Sequence, residues 1–341
     1  MKGRVISLLT VLLVVCIAFG FAGGAKEKAV VKEEKVTLSL GTSQPDKGGF
    51  LGETPARFKQ YLVELSGGRV DLKVHYGGSL SSNERELAEM VQSGSIDFSF
   101  GATTYILGWT PSAKIFDLPY LFTNVEHFRR VTAHESKVFQ QLQSEIMKNN
   151  VQLLGFILPG FRSIFNNKKP IYTPEDCAGL KIRSMQSPVY VEMFKALGML
   201  PTPMPASELY AALQTGVVDA GENDPASVVS WGWVDVIKYY SLTQHTLSAN
   251  FLIMNKKKLE SFNPELQKAI IEAGKKAIAY QLDYIQQAWE DSMKIIRSKG
   301  VQVNNVKDVN AFRNKISHMI TQYDKEIGYG LVDAVLKMEP K

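Results

Sequence analysis

Two arginines stand beside apolar, strand-like stretches. Arg162 lies in Leu158-Pro-Gly-Phe-Arg-Ser-Ile-Phe165, and Arg183 closes Gly179-Leu-Lys-Ile-Arg183. A guanidinium is planar and permanently charged, and its fork of donors meets a carboxylate through two parallel hydrogen bonds. At a strand end it can enter a cleft while the strand stays packed, and ligands of open α/β sheets bind at the carboxyl ends of strands. Asn223 stands in the polar run Gly221-Glu-Asn-Asp-Pro225, after a short strand expected over 217–220. Its amide can donate to a carboxylate or hydroxyl and can also accept. Each of these has a plainer use: the arginines as surface charges or internal ion pairs, the asparagine as a cap or turn former. Trp231 and Trp233 alternate by two, so one is expected to pack and the other to face partly outward, with a ligand platform open to either.

Catalytic signatures are missing. There is no GxSxG around a serine, no GxGxxG after a strand and no GxxxxGK[ST]. The histidines, His75, His127, His134, His245 and His318, lie far apart and none forms HExxH. His127 and His134 are seven apart in a stretch expected to be helical, where they can share a face in a solvated or structural role. No pair of carboxylates is marked out as general acid and base.

The elements that must carry these residues follow from periodicity. Alternation over 36–40, 70–74 and 96–100 predicts strands, and helical spacing over 54–65 and from a Ser82 or Asn83 cap to 92 predicts helices between them. This β-α-β-α-β order implies a mostly parallel sheet with helices on its faces. A helical stretch over 124–147 and a buried strand over 151–158 follow. A second run of the same kind spans 159–244, with a strand over 180–183 and helices over 188–197 and 207–213. A strand over 251–254 is expected to return to the first domain. The last third reads as two amphipathic helices, 264–296 and 309–329, without clean heptads, packed across both lobes.

Length and composition bound the class. A chain of 341 residues suggests two domains, and 45% hydrophobic with 21% charged residues is ordinary globular usage. A formal charge of +5 is small for this length and gives no case for nucleic acid. Lys2 and Arg4, the apolar run 5–21 and the small residues Ala22-Gly-Gly-Ala25 predict a signal peptide over 1–25 and export to the periplasm. Cleavage removes only Lys2 and Arg4 among charged residues, lowering the formal charge from +5 to +3. It also removes Cys16, so Cys177 remains alone and no internal disulfide can form.

An ordered series of motifs then runs through the chain. It comprises Ser66-Gly67-Gly68-Arg69-Val70, Glu86-Leu87 to Gly94-Ser95-Ile96-Asp97, Phe116-Asp117-Leu118-Pro119-Tyr120, Gly179-Leu-Lys-Ile-Arg183, Pro201-Thr-Pro-Met204, Ala211-Ala-Leu-Gln-Thr-Gly216, Val218-Asp-Ala-Gly-Glu-Asn223, Lys238-Tyr-Tyr-Ser-Leu-Thr243 and His245. In this order they resemble the solute-binding proteins, dicarboxylate-binding type, of the tripartite ATP-independent periplasmic (TRAP) transporters, over nearly all of the mature chain.

The resemblance implies an α/β, two-lobed periplasmic-binding-protein-like fold with hinge segments and a long helix bridging both lobes. Lobe one is expected at 35–157 plus about 246–285, and lobe two at 158–245 plus about 286–335. It implies a receptor, not an enzyme, that closes on a small organic acid and delivers it to the TRAP membrane permease subunits, as a monomer without cofactor or metal. It makes Arg183 the clamp for the ligand carboxylate, Arg162 the second basic residue and Asn223 the amide of the same lobe. From lobe one it implies contacts from Glu84, from Ser43 or Gln44, and from the segment holding Ala102 and Thr103; Trp233 completes the expected set. Ala102 and Ala206 depart from the family pattern and argue against a simple sialic-acid receptor, while 201–219 is most similar to members that bind sugar acids such as uronates. Two alternatives stay open: a periplasmic lyase or isomerase acting on an organic acid, and a sensory binding protein.

Overall fold

The computed structural model describes residues 35–46, 50–247 and 249–340. The expected signal peptide, 1–25, and the leader 26–34 lie outside them. Among the described residues there are eleven strands: β1 (Val36–Thr42), β2 (Val70–His75), β3 (Phe98–Ala102), β4 (Val151–Ile157), β5 (Arg162–Asn166), β6 (Lys181–Ser184), β7 (Leu200–Pro203), β8 (Ala220–Asn223), β9 (Tyr239–Thr246), β10 (Asn250–Asn255) and β11 (Gln302–Asn305). They form two sheets, in the orders β2-β1-β3-β10-β4 and β11-β9-β5-β8-β6-β7. The fold is the two-lobed α/β arrangement expected.

The sequence patterns explain each strand's place. In β2, Val70 and Leu72 are buried while Asp71 and Lys73 are exposed, as at a sheet edge with one face on the core. β3 and β10 are buried along their whole length, as central strands covered on both faces must be. β7 was not expected as a strand because it holds Pro201 and Pro203, which cannot donate to a ladder; it is an edge strand, where prolines are tolerated.

The sheets are less parallel than the β-α-β order implied. β10 runs antiparallel to both β3 and β4, and β5 runs antiparallel to both β8 and β9. Both strands follow a crossing from the other sheet. Each enters at the end where its neighbours finish, so it must run against them. Asn250, the first residue of β10, pairs with Ala102 and Ile157 at the ends of β3 and β4. Arg162, the first residue of β5, pairs with Thr246 at the end of β9.

Between the lobes runs the helix Pro264–Ser298, 35 residues long, started by Asn263, whose Oδ1 accepts from the Leu266 amide at 2.9 Å. It packs on the helix Phe50–Leu65 and β4 in the first lobe and on the helix Pro225–Ser230 in the second. Midway along it the Gln281 carboxamide accepts from the Leu158 amide at 3.2 Å and donates to the Leu158 carbonyl, gripping the first crossing segment on both sides. No helix among the described residues is long and apolar enough to cross a membrane.

Four boundaries differ from expectation. The stretch 124–147 is two helices, Val125–Val131 and Lys137–Met147, because Ser136 Oγ accepts from the Phe139 amide at 3.0 Å and starts a second helix. His127 and His134 therefore share no helix face; each ring Nε2 meets a backbone carbonyl, of Val335 at 2.8 Å and of Leu154 at 3.1 Å. The strand expected at 217–220 is displaced to Ala220–Asn223, since pairing of Ala220 with Asn166 and Glu222 with Ile164 fixes the register and leaves Val217 exposed. The expected polar turn is thus buried strand, followed by the helix Pro225–Ser230 capped by Asp224. The stretch 309–329 divides into Val309–Ile316 and His318–Ile327, and a further helix, Leu331–Lys337, follows. The last two helices pack on the first lobe rather than the second: Ser112 Oγ donates to the Ile327 carbonyl at 3.2 Å, and Lys114 pairs with Glu326 at 2.6 Å.

Candidate functional site

The strand ends that face each other across the crossing segments enclose one cavity. Gln44, Glu84, Ala102, Tyr105 and Asn250 line it from the first lobe. Arg162, Arg183, Met185, Asn223, Ser227 and Trp231 line it from the second. Gln44 follows β1, Ala102 ends β3, Asn223 ends β8, and Arg162 and Asn250 begin the two antiparallel strands. The antiparallel entry of β5 and β10 therefore adds two residues to a site that parallel strands alone would furnish only from their carboxyl ends.

Both arginines are buried, Arg162 at 4% exposure and Arg183 at 1%. Their surroundings differ. Arg162 holds Glu222 in a bidentate pair, Nε to Oε2 and NH2 to Oε1, both at 2.6 Å, and its NH1 donates to Asn223 Oδ1 at 2.5 Å. Burial would raise the Glu222 carboxyl, but the Arg162 charge, with hydrogen bonds from His245 and Arg162, holds it down to about 2. His245 Nε2 stands 3.4 Å from Glu222 Oε2, and burial keeps the imidazole below its ordinary value. Arg183 donates from Nε to the Met204 carbonyl at 2.9 Å and forms no ion pair with any described residue. Burial leaves that guanidinium facing the cavity without an ion-pair partner among the described residues. The Tyr105 hydroxyl lies against it; burial raises that hydroxyl and the Arg183 charge opposes the rise.

The first-lobe wall is built around Glu84. Asn83 caps the helix Glu84–Ser93, its Oδ1 accepting from the Arg85 amide at 3.0 Å, so Glu84 is the first helical residue and its side chain points back to the strand ends. Glu84 Oε1 accepts from Ser43 Oγ and, at 3.4 Å, from Gln44 Nε2; Oε2 accepts from the Ala102 amide at 2.7 Å. Burial raises this carboxyl, while these three bonds and the Arg183 charge oppose the rise. The close fit requires Gly101, where a Cβ would stand 3.0 Å from Glu84 Oε2 and 3.1 Å from the Phe251 ring.

Of the eight residues singled out in the sequence, six come together here: Arg183, Arg162, Asn223, Glu84 and Gln44 line the cavity, and Ser43 bonds to Glu84 from behind it. Thr103 does not line it, for its hydroxyl is spent on the Ala249 carbonyl at 3.0 Å. Trp233 does not reach it either. That ring is fully buried in the second-lobe core against Phe165, and Trp231, stacked on it at 5.8 Å, is the indole that lines the cavity. The sequence reading passed over Glu222, Tyr105 and Asn250. Asn250 had a signal, a polar residue opening the apolar run 251–254. Glu222 had none, because a carboxylate in a Gly-Asn-Asp-Pro setting looks solvated until the register places it beneath Arg162.

Residues 41–326 match the family described as bacterial extracellular solute-binding protein, family 7 (DctP). The 2,3-diketo-L-gulonate-binding periplasmic protein YiaO of Escherichia coli is 30% identical over 282 residues, 82% of this chain and 83% of its own. Among solved structures, a TRAP periplasmic solute-binding protein from Polaromonas bound to D-erythronate superposes with a TM-score of 0.85 at 28% identity, covering 90% of this chain and all of its own. Another from Chromohalobacter salexigens, with bound D-glucuronate, gives a TM-score of 0.83 at 28% identity over 89% of this chain and all of its own.

Proposed function

The chain belongs to the family-7 bacterial extracellular solute-binding proteins, and from that membership and the cavity we propose that it is a TRAP receptor for a sugar acid. The observation that carries this reading is the Arg183 guanidinium, buried at 1% exposure with no ion pair among the described residues. A buried charge needs a hydrogen-bonded partner, and a ligand carboxylate supplies it through two charge-assisted bonds. In our assignment Arg183 holds the carboxylate, Asn223 adds its amide, and Tyr105, Gln44, Glu84 and Asn250 meet the hydroxyl groups. Arg162, engaged with Glu222, fixes Asn223 rather than serving as a second clamp. The bound glucuronate and erythronate of the solved relatives support this ligand class, and those relatives support a receptor over a lyase or isomerase.

Because both lobes line the site, a ligand that touches both favours the closed form, and the closed surface is what the permease would read. Export by residues 1–25 to the periplasm, action as a monomer, and handover without turnover complete the proposal. Isothermal calorimetry with ligand-free protein tests it, using D-glucuronate, D-galacturonate, D-galactonate and succinate. At least one hydroxylated acid should bind in the micromolar range or tighter, with no new product in the recovered solution. Absence of binding by every acid, or conversion of the bound one, would reject the receptor.

A further inference from the structure

This inference rests on the receptor reading and concerns how many carboxylates the ligand carries. The cavity has two unlike ends. At one, Arg183 presents a cation with no ion pair among the described residues. At the other stands the Glu84 carboxyl, sharing the first-lobe wall with the polar side chains of Gln44, Tyr105 and Asn250. Glu84 carries three hydrogen bonds from Ser43, Gln44 and the Ala102 amide, a set that favours its charged form. Gln44 turns its Nε2 toward Glu84, and its Oε1 is buried with no hydrogen-bond partner among the described residues. A hydroxyl donor on the ligand is the group that would satisfy that oxygen. A second carboxylate brought there would find no free cation to pair with among the described residues, next to the Glu84 carboxyl. Arg162 is not placed to neutralise it, since its fork is engaged by Glu222.

We propose that Glu84 sets the carboxylate count: the site takes a polyhydroxy acid with a single carboxylate, held at Arg183, and rejects the corresponding diacid. Glu84 thereby acts as a specificity residue by repulsion as much as by hydrogen bonding, a use of an unfavourable contact to separate similar ligands.

D-Galactonate and galactarate test this. They share a six-carbon chain and the same hydroxyl configuration and differ in a terminal hydroxymethyl against a second carboxylate. Calorimetry at about pH 8 should show the full-length protein preferring galactonate by about 100-fold, the size of a like-charge penalty of a few kcal/mol. Glu84→Gln, which keeps shape and removes charge, should lower that ratio at least about tenfold, chiefly by improving galactarate. Ser43→Ala leaves the charge and removes one of its hydrogen bonds, so it should keep the ratio. Equal binding of both acids by the wild type overturns the inference while leaving the receptor reading intact. So does an unchanged ratio in Glu84→Gln, or an equal fall in Ser43→Ala. If no hydroxylated acid and no diacid binds the wild type, the receptor reading itself fails and this inference falls with it.

Discussion

Arg162 and Arg183 lie in one lobe, on one cavity, at nearly equal burial, yet the fold neutralises one and, in the proposed receptor, leaves the other for the ligand. The region around Arg162 is electrically closed: Glu222 neutralises it bidentately, His245 approaches the same carboxylate, and Asn223 caps the remaining fork. The region around Arg183 is open, with a carbonyl and a phenol against it but no ion pair among the described residues. A strand-end arginine is therefore not diagnostic by itself. What distinguishes a binding cation from a structural one is whether the protein already supplies its counter-ion.

The largest effect should come from the open arginine. Arg183→Ala should weaken sugar-acid binding by about 100- to 10,000-fold, the value of two charge-assisted bonds at about 1.5–3 kcal/mol each. The ligand-free variant should keep its fold, losing about 1–3 kcal/mol for the Met204 carbonyl left without its donor. Calorimetry and thermal unfolding on the same sample check both halves; wild-type affinity in the variant would remove Arg183 from the clamp. At the closed arginine the effect should move to stability. Glu222→Ala leaves Arg162 buried with its main partner gone and should lower unfolding free energy by about 3–5 kcal/mol, read from urea titrations. The pair has a pH signature as well. Glu222 titrates near about 2 in the fold against an ordinary 4.5. Its contribution is therefore complete above the ordinary value and fades as pH falls through about 2.

Asp117 carries the same contrast into carboxylates. It is fully buried beside Thr104, whose hydroxyl donates at 3.1 Å, and near Ser187, and it forms no ion pair among the described residues. Burial pushes it up to about 7 from 3.8. The unfolded chain thus ionises first, and stability falls as pH rises from about 4 to about 7. Asp117→Asn should be more stable than wild type by about 2–4 kcal/mol at about pH 8 and nearly equal to it below about pH 4. Parallel unfolding curves at the two pH values decide; a variant less stable at high pH would mean that the carboxylate is held charged. The smallest change belongs to a surface pair. Lys168 meets Asp219 at 3.2 Å with its side chain 59% exposed, so Lys168→Ala should shift stability by no more than about 0.5 kcal/mol.

Much of this was legible in the residues, and the failures have a common cause. Strands β1 to β3 and the helix Pro264–Ser298 follow from alternation and helical spacing, both local properties. The ordered motifs carried the two-lobed fold. The displaced strand β8 and the buried Glu222 depended on pairing with β5, more than fifty residues away, and no local pattern encodes that register. The two tryptophans show the limit at the site. Spacing by two separated an inner ring from an outer one, but it could not tell which of Trp231 and Trp233 belonged to the cavity. That was settled by packing against Phe165.

The antiparallel strands have one more consequence. Arg162 and Asn250 open β5 and β10, so groups of the cavity wall directly follow the segments that cross between the two sheets. Leu158, four residues before Arg162, is gripped through its own amide and carbonyl by Gln281. The long helix thereby anchors the first crossing segment four residues from the cavity wall.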